Sequence, residues 1–185
     1  MGKGIGLSDL TRKQVLSYYG SDKSLAGQNL SGLDLSELNL ANANFRGSNL
    51  TNANLINCNL SDTDLTRATL RGAILNNANL QRAILVRSNL TITQMKNVNL
   101  NYATLESANL SGAASNSGQS TARVIGANLQ GATAIKTNFN KAIMERVNLN
   151  NTNLIGASFM HTNMTRASLQ GAKYDLNAFD LAINV

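Results

Sequence analysis

The chain has 185 residues, room for one domain, and 43% of them are hydrophobic; no apolar run approaches the roughly 18 residues that a membrane-spanning helix needs, so one soluble architecture is expected. With one Cys, one His, no Pro, no Trp and 4% aromatic residues, the composition excludes a disulfide framework and a Cys/His zinc site, and it argues against a stacking surface for bases. The formal charge of +6 is unevenly spread: residues 1–65 carry five basic and six acidic groups, whereas residues 66–173 carry eleven basic groups against Glu106 and Glu145 alone.

Residues 1–22 read as a lead-in. Met1 to Gly6 is too polar and glycine-rich for a secretory signal, and Gly6 stands where a myristoylation motif needs Ser or Thr, so a cytoplasmic location is expected. From Ser8 to Tyr19 there is no Gly or Pro; Ser8 and Asp9 offer an N-cap, and Val15, Leu16 and Tyr19 supply an apolar face before Gly20. The pattern predicts a short amphipathic helix that covers the open start of whatever follows.

A repeat then takes over. From Leu25 to Leu110 an apolar residue stands at every fifth position; of these 18 centres 16 are Leu, the others being Phe45 and Met95. Two positions before the centre lies a small residue, as at Ala43, Ala53, Cys58, Ala68 and Ser88, and between the two lies most often Asn. On a helix such a stripe drifts by about 140° per repeat, and on a strand it changes face each time. The chain must therefore bend once per unit. The bend has its own signature two positions after the centre: Gly at sites such as Gly27, Gly47 and Gly131, or Asn at sites such as Asn42, Asn57 and Asn97, residues that accept the positive φ of a type II turn.

How many sides close a coil is legible in the second half, where the centres vary. Phe139, Phe159 and Phe179 recur at twenty residues, as do Met144 with Met164, and twenty is four units. Four right-angled bends close a square, with like residues stacked at the ~4.8 Å interstrand spacing. The sequence thus predicts an all-β solenoid over residues 23–181, filled by a column of Leu and Phe. It is followed by a tail at 182–185.

Ala114 to Ala122 interrupts the repeat with a neutral, polar stretch that includes Ser115, Asn116, Gly118 and Gln119. Counting a unit at Ser115, the next clear centre at Val124 implies about four extra residues bulging from one side. The stretch is either a functional loop or a tolerated insertion. Near the end Tyr174, Leu176, Phe179 and Leu181 are too apolar for a bare edge, so they either fold over the last coil or meet a second subunit, making a homodimer through the C-terminal coil.

Little chemistry is on offer. Cys58 takes an inward position as a small hydrophobe, His161 falls alone at an outward corner, and Asp62 and Asp64 suit corner hydrogen bonds better than acid/base work. No phosphate loop, dinucleotide fingerprint or nucleophile elbow is present, so no enzyme, cofactor or metal is expected. Outward charge remains. Arg46, Arg67 and Arg87 project from one face at about the coil spacing; on another, Arg146 and Arg166 repeat at twenty residues with Arg123 near them. Such stripes suit an acidic protein surface or phosphates, and they also keep a rod soluble. Nucleic-acid binding is the weaker option, because Tyr102 is the one outward aromatic of the repeats.

Units such as Ala78-Asn79-Leu80, Ala108-Asn109-Leu110 and Ala127-Asn128-Leu129 resemble those of the pentapeptide-repeat proteins. The stretch Ser17-Tyr18-Tyr19-Gly20 leading into Leu25, Leu30 and Leu35 is similar to the opening of cyanobacterial members, including the type tied to heterocyst differentiation that binds a transcription regulator. The resemblance implies a right-handed quadrilateral β-helix and a non-enzymatic scaffold for protein–protein interaction or regulation. It also brings an alternative, since some members act on DNA gyrase by imitating duplex DNA with an acidic rod. The positive charge of residues 66–173 and an Asn where many members carry Asp count against that role.

Overall fold

The structure, a computed structural model, describes residues 10–21, 24–112 and 122–184. One helix, α1 (Arg12–Ser21), precedes the repeats. Its start differs from the expectation: Ser8 and Asp9 lie outside the described residues, and the cap is Thr11. The Gln14 N–H donates to Thr11 Oγ1 while Gln14 Oε1 accepts from the Thr11 N–H at 2.8 Å, a reciprocal capping box. Only a narrow face is buried. Val15 is fully enclosed, whereas Leu16, expected inside, is exposed.

From Ser24 onward the chain coils. Every bridge is parallel, and outside the interrupted coil each joins residues twenty apart, as in Ser24 to Asn44, Asn29 to Asn49, Asp34 to Asn54 and Asn39 to Asn59. These four ladders are the four sides, named first to fourth in that order, and a turn follows each. At nearly every turn the residue two past the centre has positive φ: Gly27, Gly32 and Gly47 as expected, but also Arg67, Arg87, Lys136, Arg146 and Arg166, at φ of 54 to 59°. A side chain in this conformation costs roughly 1 kcal/mol, and it is tolerated because the neighbouring coil holds it. The Arg67 N–H donates to Val86 O at 2.9 Å, one coil on.

The backbone bonding of a unit closes completely around Asn49 and Leu50. The Leu50 and Asn52 N–H groups donate to Thr69 O and Arg71 O of the next coil, the Asn49 N–H donates to Gln28 O of the previous one, and the Ala53 N–H closes the turn on Leu50 O. The fifth N–H, of Thr51, donates to Asn49 Oδ1 at 3.1 Å. This is the reason for Asn between the two inward residues: its oxygen takes the one donor the backbone leaves over. Its amide then donates to the coil before, so that Asn59, Asn79 and Asn99 form a ladder from Asn39 at 2.9, 3.3 and 3.0 Å. Asp in that column would offer no donor and would stack like charges ~4.8 Å apart.

Inside, the column is as the spacing predicts. Leu30, Leu50 and Leu70 are enclosed, and Phe139 lies on Phe159 with ring centroids 5.1 Å apart and planes at 11°. Each buried Leu contributes about 1.5 to 3 kcal/mol as an upper figure. Where the small position is Ser or Thr its hydroxyl is satisfied, Thr63 Oγ1 donating to Leu60 O at 2.7 Å and Thr152 Oγ1 to Leu129 O at 2.8 Å.

The interruption is larger than four residues. Gln94 bridges Arg123, Asn99 bridges Asn128 and Asn109 bridges Asn138, offsets of twenty-nine, and the offset returns to twenty at Arg123 to Ile143. That coil therefore carries nine additional residues. The shorter count let a unit centred on Ser115 fill part of the gap, but the residue stacked over Met95 is Val124. Residues 113–121, which hold most of the expected loop, lie outside the described residues, as does Val185 of the tail.

Candidate functional site

The corner arginines expected to form an interaction surface fall on two diagonally opposite edges. Arg46, Arg67 and Arg87 belong to the corner after the first side, and Lys136 joins them two coils further on. Arg46 is occupied: its Nη1 lies 2.8 Å from Asp64 Oδ2. Arg146 and Arg166 stand in adjacent coils at the corner after the third side, both exposed, and Arg123 is exposed on the third side itself.

Other corner cations were not singled out from sequence. Lys96 belongs to the same corner as Arg146 and Arg166, and Lys141 to the opposite edge of the third side, beside His161. The signal was hidden because Lys96 and Arg146 align only when the nine extra residues are counted. A second missed relationship is Arg82 on Asp62, twenty residues apart, with Nε to Oδ1 at 2.6 Å and Nη2 to Oδ2 at 2.7 Å. The Arg82 hydrogen bond holds the Asp62 carboxyl below its usual range.

These pairs divide the rod. The ion pairs Arg12–Asp34, Arg46–Asp64 and Arg82–Asp62 all lie in the first coils. From Arg87 onward, no cation among the described residues has a carboxylate within ion-pair distance. Glu145, in the same corner as Arg146, accepts instead from Asn163 Nδ2 at 3.1 Å.

At the C-terminal end the ladder loosens. The second side has no bridge beyond Ser158 among the described residues, and the Gly156 N–H donates to the Asp175 carboxylate at 2.7 Å rather than to a backbone carbonyl. A groove of about 530 Å³ opens between residues 156–160 and 175–181. Phe179 packs under this end, 4.7 Å from Phe159 and 4.9 Å from Tyr174, but Leu176 is 96% exposed and Leu181 62%. Ile155, Met160, Tyr174 and Ile183 are exposed as well.

The few reactive groups are quiet. Cys58 is enclosed, its Sγ donates to Leu35 O at 2.8 Å, and burial pushes its thiol up to about 11. His161 is an exposed corner residue at φ 57°. Asp64 Oδ1 accepts the Thr66 N–H at 2.9 Å, the expected corner bond, whereas Asp62 is spent on Arg82. Among the described residues no group of three His, Cys, Asp or Glu could hold a metal, and no helix is long and apolar enough to cross a membrane.

Among solved structures, the chain is similar to HetL, a pentapeptide repeat protein involved in heterocyst differentiation regulation from the cyanobacterium Nostoc sp. strain PCC 7120. The identity is 25% over 95% of this chain and 98% of that one, with a TM-score of 0.54. It also shares its fold with QnrB1, a plasmid-mediated fluoroquinolone resistance protein, at 17% identity over 93% of this chain and 91% of that one and a TM-score of 0.52. No curated protein matches the sequence. The model of pentapeptide repeats matches residues 29–67, 63–101, 122–151 and 142–173, eight copies in all and more than half of the chain, which therefore belongs to the pentapeptide-repeat family.

Proposed function

We propose that this protein is a non-enzymatic regulatory scaffold of the cytoplasm, a right-handed rod that presents cationic corners to an acidic partner protein and pairs with a second copy through its C-terminal end. The observation that carries the reading is the run of exposed corner cations beyond Arg87 with no carboxylate to neutralise them. Rigid corners fix where those charges stand, so a partner meets them without ordering a loop. The likeness to HetL over nearly its whole length supports a regulatory role exercised by binding. A DNA-mimicking role toward gyrase would need a carboxylate face, but only eight carboxylates stand among the described residues, and three of them, Asp34, Asp62 and Asp64, are each tied to an arginine.

Affinity capture from the source cell tests the reading. The expected result is an acidic protein retained by the wild type and lost when Arg67→Glu and Arg87→Glu, or Arg146→Glu and Arg166→Glu, are introduced; retention unchanged by both pairs overturns it. Pairing follows from the two ends. The helix α1 covers the first coil, whereas the last coil leaves Leu176 and Leu181 exposed, an apolar surface that a second copy would cover by closing a two-fold dimer. Light scattering should then give twice 19.7 kDa, falling to one copy in Leu176→Asp/Leu181→Asp.

A further inference from the structure

The third side in the distal half runs between charged rims. Arg123 and Ile143 lie along it, Lys141 stands on one rim, and Lys96, Arg146 and Arg166 stand on the other. Arg146, Arg166, Glu145 and Thr165 border a cleft of about 250 Å³ on that rim. No aromatic side chain faces out from this side among the described residues. Resting on the scaffold reading, we propose that the acidic partner docks here as an α-helix laid parallel to the rod, with a stripe of Glu or Asp facing the third side.

The pitch of an α-helix fits the spacing of these cations. Cations in successive coils stand ~4.8 Å apart along the rod. One turn of an α-helix advances about 5.4 Å, and carboxylates at i and i+4 have Cβ atoms about 5 to 6 Å apart. Over three coils the mismatch stays below about 2 Å, within the play of an arginine side chain. Phosphates of one DNA strand advance about 3.4 Å each, so three of them span about 10.2 Å against about 9.6 Å for two coils, and spacing alone does not separate the two ligands. The half-buried Ile143 on this side separates them, as an apolar contact that an amphipathic helix would cover and a phosphate backbone would not.

The test uses the full chain and two labelled synthetic helical peptides of identical composition, one with Glu at i, i+4, i+7 and i+11, the other with the same Glu residues spread around the helix. Fluorescence anisotropy should show the striped peptide binding at least about tenfold tighter. Arg146→Gln/Arg166→Gln should weaken it about tenfold, and Arg67→Gln/Arg87→Gln should leave it within about twofold, with thermal midpoints checking that each variant is folded. Equal affinity of the two peptides, equal loss in both variant pairs, or no binding of either peptide overturns the helix on the third side. In each of those cases the scaffold reading stands or falls by the capture experiment alone. Duplex DNA that displaces the striped peptide at matched charge overturns both.

Discussion

Arg12 donates from Nη2 to the carbonyl of Ser36 at 2.8 Å, taking the place of a backbone N–H from a coil that does not exist. One coil further on, the equivalent carbonyl of Ile56 accepts from the Glu37 N–H at 2.9 Å. Nη1 does the same for Asp34 O at 3.1 Å, where in the next coil Asn54 O accepts from Leu35. A planar fork can span two successive acceptors, and a lysine ammonium cannot. Arg12→Ala is expected to lower the thermal midpoint and to speed hydrogen exchange in residues 24–40 while leaving the distal coils unchanged, and Arg12→Lys should not restore it. Exchange mass spectrometry makes the comparison. Equal protection in all three proteins would leave α1 as a cover without a bonding role.

The corner arginines set up a test in which charge and stability move in opposite directions. Arg67 and Arg87 sit at φ 59° and 57°, a conformation that costs a side chain roughly 1 kcal/mol and glycine nothing. Part of that gain is offset by the greater freedom of glycine in the unfolded chain, about 0.5 to 1 kcal/mol. Arg67→Gly and Arg87→Gly are therefore expected to leave the urea midpoint unchanged or slightly raised, and Arg67→Ala and Arg87→Ala to lower it. The glycine pair also removes two cations without touching the fold, which makes it the cleaner probe of whether the corner after the first side takes part in partner binding.

Much of this architecture is written in the spacing. Leu at every fifth position, Gly or Asn at the bend and Phe139, Phe159 and Phe179 at twenty residues are enough to require four sides and a stacked interior, because each is a one-dimensional consequence of a three-dimensional period. What escaped the sequence depended on register. Lys96 and Arg146 share a corner only after nine residues are discounted, and Arg82 meets Asp62 only because both stand at the same corner in adjacent coils. The loosened end escaped for another reason. Tyr174 and Phe179 carry the repeat apolar pattern, but the Asp175 carboxylate takes the Gly156 N–H and the chain leaves the second side.

Acid should weaken the first coils before the distal ones. The Asp62 carboxyl is held below its usual 3.8 by the Arg82 hydrogen bond and charge, and that of Asp34 chiefly by the Ser36 hydroxyl and N–H. A carboxyl lowered in the folded state contributes stability that is present above its unfolded value and lost as pH falls through the folded one. Wild type and Arg82→Gln should therefore differ in urea midpoint at pH 6 and converge once the pH drops well below about 4. A difference that persists at low pH would mean that Arg82 acts through packing alone.

Cys58 gives the opposite sign. Burial raises its thiol from 9.0 to about 11, and the side chain donates to Leu35 O, a bond the thiolate cannot make. A group raised in the folded state contributes stability that is whole below its unfolded value and lost as pH climbs through the folded one, so the window for Cys58 runs from about 9 to about 11. Cys58→Ala is the right reference, because Ala fills the same place at Ala43, Ala53 and Ala78. Wild type should lose stability relative to that variant across the window and match its pH dependence below it. The same shift cuts the thiolate fraction near pH 8 about a hundredfold, so a thiol reagent should label Cys58 only as fast as the coil opens. Rapid labelling of the native protein at pH 8, at a rate unchanged by stabilising the fold, would show the thiol reaching solvent and would overturn its assignment as a packed inward residue.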